Sequence, residues 1–178
     1  MLPQWGVTMT AKRNKTETKK SDENGSSTDE MSALDLLEED HSQVGSFFEE
    51  YERLEDASEK EKLALQICMA LQVHTQLEEE IFYPAVREAI DKTELIDEAI
   101  VEHAAAKQLI AEIEDMNAND ELYDAKVKVL GEQVRHHIEE EEDELFPEIE
   151  SSELNLETLG KKMAERKTTL LKEATMEE

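Results

Sequence analysis

The sequence predicts an all-α fold: an up-down-up-down four-helix bundle with a fifth helix at its C-terminal end. Three observations carry this. Apolar residues recur in steps of three and four along four successive segments of the 178-residue chain, and no segment alternates apolar and polar at period two. Only three prolines and five glycines interrupt the chain. With 37% charged residues and a formal net charge of −27, a core exists only if the apolar side chains are gathered on the faces of a few regular segments.

Residues 1–30 read as a disordered tail, polar and without apolar period, carrying a basic patch of Lys12, Arg13, Lys15, Lys19 and Lys20. The first helix is expected over about residues 32–54. Ser32 with Asp35 forms its cap, and its apolar face runs Leu34, Leu37, His41, Val44, Phe48, Tyr51. The second opens at Ser58 with Glu61 in capping-box spacing. It presents Leu63, Ile67, Leu71, His74, Glu78 and Ile81 until Pro84 ends or kinks it. The third begins near Thr93, with Ile96, Ile100, His103, Ala106, Ile110 and Ile113 on one face. A loop, Asn117-Ala118-Asn119-Asp120, follows, and Asp120 is the next cap. The fourth face is Tyr123, Val127, Leu130, Val134, His137, Glu141, Leu145, closed by Pro147. A weaker amphipathic stretch holds Leu156, Leu159, Met163, Leu170 and Leu171. Its Lys161, Lys162, Arg166 and Lys167 are expected to lie on the acidic bundle as part of a structural fifth helix. The organisation is thus a tail over 1–30, a bundle over 31–150 and a C-terminal helix over 151–178. Short connections make consecutive helices antiparallel neighbours.

The charge argues against nucleic acid and anionic membrane surfaces as partners, since both are polyanions. No run of about 20 apolar residues is present to span a bilayer, and the first ten residues lack the pattern of a secretory signal. A single cysteine, Cys68, rules out an internal disulfide and fits a reducing compartment. A cytoplasmic protein is the expectation.

The two halves of the bundle repeat. His74-x-x-x-Glu78 aligns with His137-x-x-x-Glu141, and Pro84 with Pro147, at one offset. His41 aligns with His103, each directly after an acid, Asp40 or Glu102. The histidines stand about ten residues from the helix starts or the prolines that mark one end of an antiparallel bundle. At about 1.5 Å per residue, all four imidazoles sit roughly 15 Å from that end. They share their helices' apolar faces, and Glu78 and Glu141 follow one turn on. Four imidazoles and two carboxylates converging in a core are unfavourable unless something positive lies between them. A metal centre supplies it. Imidazole with carboxylate suits iron, zinc or manganese, and six ligands suit two ions. Each would take two histidines with both glutamates bridging, leaving places for a bridging oxo or hydroxo oxygen and a small exogenous ligand.

With these residues in place, the sequence resembles the hemerythrin-like (HHE cation-binding) family over roughly residues 33–150. The matching elements are Asp40-His41, His74-x-x-x-Glu78 running to Phe82-Tyr83-Pro84, Glu102-His103, and His137-x-x-x-Glu141 running to Leu145-Phe146-Pro147. The resemblance implies a four-helix bundle holding two non-haem iron ions. Their ligands would be His41, His74, Glu78, His103, His137 and Glu141. It also implies a protein that binds or senses O2 or a related small ligand, nitric oxide or peroxide. Where the invertebrate oxygen carriers have a second histidine on the third helix, this chain has Lys107, so its pattern is that of the bacterial-type members. The alternative is a diiron oxidoreductase, or an iron-centre repair or peroxide-detoxifying protein. Ferritin-like iron oxidation is weakly supported, since Glu38-x-x-His41 is the only spacing of its type.

The neighbours of these residues have blander readings. His136 stands about 100° round the helix from His137 and is expected at the surface or behind the ligands. Asp40 and Glu102 are expected to face water, the other reading being that they orient ligand imidazoles. The Glu139–Asp143 run is a solvated face apart from Glu141. Lys107 is expected to extend into solvent, with a contact to a bound ligand as the other reading. Tyr51 and Tyr123 are core fillers with a wet hydroxyl, and Cys68 is inert.

Overall fold

The computed structural model describes residues 31–176, so the tail expected over 1–30 and its basic patch lie outside the described residues. Seven α-helical segments follow in order: α1 (Ala33–Tyr51), α2 (Ala57–Leu77), α3 (Tyr83–Arg87), α4 (Glu94–Glu114), α5 (Tyr123–Glu140), α6 (Phe146–Glu150) and α7 (Leu156–Met176). Two π-helical turns, Glu78–Phe82 and Glu141–Leu145, join α2 to α3 and α5 to α6. The bundle therefore has four long rods, α1, α2–α3, α4 and α5–α6, with α7 as the fifth.

The start of α1 is the reciprocal box read from the sequence. The Asp35 N–H donates to the Ser32 hydroxyl, and the Ser32 N–H to the Asp35 carboxylate, each at 3.2 Å. The start of α2 differs from the expectation. Asp56, not Ser58, is the cap, accepting from the Ser58 and Glu59 N–H groups at 3.0 Å. A carboxylate is a charged acceptor at the positive end of the helix dipole, and it outcompetes a hydroxyl two residues on. Asp120 does not cap α5, which follows Leu122 with no side-chain cap. Its carboxylate accepts instead from the Asn117 N–H at 2.9 Å and closes the preceding loop.

Neither proline breaks its helix. Pro84 and Pro147 each enter the first turn of a continuing α-helix, where no N–H is required. The turn before each widens to a π closure, in which the Tyr83 N–H reaches the Glu78 carbonyl and the Phe146 N–H the Glu141 carbonyl. This widening places Phe82 fully inside, whereas Ile81 is only half-buried.

On α4 the buried line is Ile96, Ala99, His103, Ala106, Ile110, Ile113. Ile100 is 40% exposed, so its expected place on that face belongs to Ala99. Ala99 stands about 40° from His103 round the helix, and Ile100 about 60° on the other side. Leu171 is likewise outside, while Leu170 is buried.

Helix α1 packs on α2 and α5, α4 packs on α5 and α2, and α7 lies across α1, α2 and the first π turn. Gly160 fits α7 closely against the start of α1. A Cβ there would stand 2.3 Å from the Met31 carbonyl oxygen and 2.8 Å from the Ala33 nitrogen. The interior has two apolar cores. One holds Leu37, Leu77, Phe82, Ile96, Leu145, Ile149 and Met163, and the other Val44, Ile67, Leu71, Ile110, Tyr123 and Leu130. Between them, on all four rods, lies one layer of buried polar side chains: His41, His74 with Glu78, His103, and His137 with Glu141.

Candidate metal centre

The depth argument made on the sequence is met in space. His41 Nε2 lies 3.5 Å from Glu141 Oε2, His74 Nε2 3.2 Å from Glu78 Oε2, His103 Nε2 3.3 Å from Glu78 Oε2, and His137 Nε2 3.6 Å from Glu141 Oε2. Each glutamate thus meets one imidazole from its own half of the bundle and one from the other half. Among the described residues three sets of atoms are gathered closely enough to hold an ion, with all members within 4.8 Å of one another: the surface set Glu102, His136 and Glu140, and two buried sets, His41, His74, Glu78 and Glu141, and Glu78, His103 and His137. Glu78 belongs to both buried sets.

The donor set fits a cation. His41 Nε2, His74 Nε2, both Glu78 oxygens and Glu141 Oε2 are buried and have no hydrogen-bond partner, which is unfavourable for groups of this kind unless something positive engages them. The protons respond to the same strain. Burial raises the Glu78 carboxyl, and the Glu141 charge raises it further. Burial works against an ionised Glu141 too, but the His41 imidazole beside it and the other histidine charges outweigh it and pull that carboxyl down. Burial alone would lower His41, yet the Glu141 carboxylate beside it and its contact with Glu142 lift it to about 10. His103 is lowered by burial despite its contact with Glu79.

Behind each imidazole stands a carboxylate. Nδ1 of His41 is 2.9 Å from Glu142, Nδ1 of His103 is 3.0 Å from Glu79, Nδ1 of His137 is 2.9 Å from Glu102, and Nδ1 of His74 is 3.6 Å from Asp40. Such partners fix the ring orientation and leave Nε2 as the inward donor. Asp40 and Glu102 therefore do not simply face water, and Glu142 is not merely part of a solvated run. The contacts cross between helices: the acid beside one histidine serves another histidine. The repeat held the signal, because Asp40 and Glu102 precede the lone histidines while Glu79 and Glu142 follow the paired glutamates. Lys107 neither extends freely into solvent nor reaches the interior. Its ammonium grips both Glu79 oxygens at 2.7 and 2.6 Å.

Tyr83 was not legible from the repeat, since Phe146 stands at the matching position. It is buried, and its hydroxyl donates to Glu141 Oε1 at 2.8 Å and lies 3.3 Å from His103 Nε2. On an ideal α-helix Tyr83 would stand about 140° from Glu78. The π turn brings it back towards the site.

His136 is a surface residue, 64% exposed at its side chain and 3.3 Å from Glu140. Tyr51 donates to Asp124 at 2.7 Å, while the Tyr123 hydroxyl is buried without a partner. Cys68 is buried, which pushes its thiol up to about 12.

A cavity of about 270 Å³ adjoins all four imidazoles. Val44, Leu71, Ala106, Val134 and Ile138 give it apolar walls, and it reaches the surface between α4 and α5 beside the exposed Val101, Ala105 and His136. A small ligand can thus approach the imidazoles from one side. No helix among the described residues is long and apolar enough to cross a membrane.

Comparison with known proteins agrees with this geometry. The model of the hemerythrin HHE cation binding domain matches residues 32–149. A hemerythrin HHE cation-binding-domain protein of Mycobacterium kansasii superposes with a TM-score of 0.71 at 22% identity, covering 82% of this chain and 90% of that one. A DNA nickase of Nostoc sp. is 29% identical over 131 residues, which is 72% of this chain and 36% of that protein. The chain therefore spans about a third of the length of that relative.

Proposed function

Since the chain belongs to the hemerythrin HHE cation-binding domain family, we propose that its metal site is a pair of non-haem iron ions used to bind or sense a small ligand: O2, nitric oxide or peroxide. The observation that supports this most is the set of buried, partnerless imidazole nitrogens and carboxylate oxygens aimed at one interior. His41 and His74 would hold one ion, His103 and His137 the other, with Glu78 and Glu141 shared. Bound iron would supply redox change and open positions for an exogenous ligand. The chain's own residues do the rest. The carboxylates behind the rings orient them, Tyr83 holds Glu141, and the apolar cavity walls admit a small uncharged molecule while excluding bulk water.

The test is anaerobic Fe(II) loading of the full chain, metal counting, and absorption spectra before and after O2. Two irons per chain with a spectrum that reverses when O2 is removed support reversible ligand binding. Two irons that oxidise irreversibly shift the reading to peroxide or iron-repair chemistry in a cytoplasmic setting. Failure to hold two ions overturns the proposal. The nicking activity named for the Nostoc relative is not carried over. The chain spans only 36% of that protein, and its charge of −27 repels a polyanion.

A further inference from the structure

We propose that α7 is a working part of the metal centre, because Lys167 positions Asp40 against His74 and so fixes that imidazole for the ion it holds. The inference rests on the metal reading above, but it concerns a helix beyond the matched residues 32–149.

Asp40 is the most enclosed of the four acids behind the rings. Its side chain is 8% exposed, against 27% for Glu102, 32% for Glu79 and 41% for Glu142. Water cannot solvate it as it does the others. Its Oδ2 faces His74 Nδ1 at 3.6 Å and has no hydrogen-bond partner, a distance too long for a hydrogen bond to hold the carboxylate there. The strong contact is on Oδ1, where the Lys167 ammonium donates from α7. The register of α7 is set by the close fit of Gly160 on Met31–Ala33 and by the Arg166 guanidinium on Glu80, at 2.7 Å from Nε.

The internal repeat shows that the two clusters obtain their ammonium groups differently. In the second cluster, Lys107 of α4 grips Glu79 behind His103. At the offset that aligns His103 with His41, the position matching Lys107 is Gly45, which has no side chain. By the repeat, a lysine at that position would meet Glu142 behind His41, so α1 offers no counterpart of the Lys107–Glu79 pair. Lys167 brings an ammonium to this cluster from outside the repeat, at a different acid, Asp40 behind His74. Each cluster then contains one imidazole backed by a carboxylate–ammonium pair, His74 in one and His103 in the other.

The experiment is an anaerobic Fe(II) titration of the full chain and its variants, with thermal melts as a control for folding. Lys167→Met is expected to weaken one of the two ions about 10- to 100-fold, the usual consequence of losing an outer partner of a ligating histidine, and to leave the other unchanged. Lys167→Arg is expected to restore it. Asp40→Asn should remove the dependence, so that Asp40→Asn and Asp40→Asn/Lys167→Met bind iron alike. Wild-type affinity for both ions in Lys167→Met overturns the inference. So does equal weakening of both ions, or the same loss in the Asp40→Asn background, because either would mark Lys167 as a fold clamp alone. A wild-type chain that does not hold two ions would instead overturn the metal reading itself.

Discussion

Glu78 is the residue on which the site turns. It is fully buried, neither of its oxygens has a hydrogen-bond partner, and it belongs to both buried sets of gathered atoms. Glu78→Ala is therefore expected to abolish binding of a second ion and to weaken the first, read by metal analysis after gel filtration. His136→Ala should leave the metal content at the wild-type value, because that ring is exposed, is outside both buried sets, and is gathered only with Glu102 and Glu140 at the surface. Tyr83→Phe removes the donor on Glu141 Oε1. Hydrogen bonds to charged groups contribute about 1.5–3 kcal/mol, so the metal-free variant should lose unfolding free energy of that order in denaturant titration. The convergence of the six expected ligand side chains was legible because spacing, face and repeat all agreed on it. Tyr83 was not, because its inward direction depends on a π turn that side-chain periodicity does not reveal. The acids behind the rings lay in plain view beside the ligands, but helical geometry alone points a neighbouring residue away. Only the crossing of contacts between helices brings Asp40 to His74 and Glu102 to His137.

At the scale of elements, the helices themselves were legible and their ends less so. Apolar period fixes where a helix runs, whereas a cap is a local contest between nearby polar side chains. Asp56 won that contest over Ser58. Asp56→Ala is expected to destabilise the protein by about 1 kcal/mol, the usual effect of losing a cap. Ser58→Ala should change little. Denaturant unfolding of the two variants separates them. The two prolines were read as helix ends because an interior proline removes an N–H and clashes with the preceding turn. The π turns absorb that conflict, and they do so at the same place in both halves, starting on the paired glutamates. The fifth helix depends on a backbone approach of the same kind. Gly160→Ala sets a Cβ against the Met31 carbonyl and the Ala33 nitrogen. Overpacking of this sort costs about 1–3 kcal/mol, so a lower melting temperature and looser protection of α7 amides in hydrogen exchange are expected.

At the scale of the whole molecule, the described residues form two apolar cores separated by a polar layer, and this sets how stability answers to metal and to pH. Without a cation, protons must moderate the charge of the layer. His41, raised to about 10 by Glu141 and Glu142 against the effect of burial, takes one up. A histidine raised in the folded state stabilises fully below its unfolded value of about 6.5, and that contribution is lost as pH climbs through the folded value. Asp40 and Glu79 are shifted the other way. Burial opposes their ionisation, but the His74 ring and the Lys167 hydrogen bond at Asp40, and hydrogen bonds from Lys107 and His103 at Glu79, hold both below the usual carboxylate range. Their contributions are present above the ordinary carboxylate pKa and fade as pH falls below it. The metal-free protein should therefore be most stable in the mildly acidic to neutral range and should lose stability steadily from about pH 7 towards pH 10. A metal ligand must be a neutral imidazole, so an ion held by His41 would displace its proton. The loaded protein should then show no such alkaline decline and a steeper decline in acid, where protons compete with the ions for the same nitrogens. Thermal melts of chelator-treated and iron-loaded protein at matched pH values test this. Parallel alkaline slopes in the two forms would mean that His41 does not face the ion.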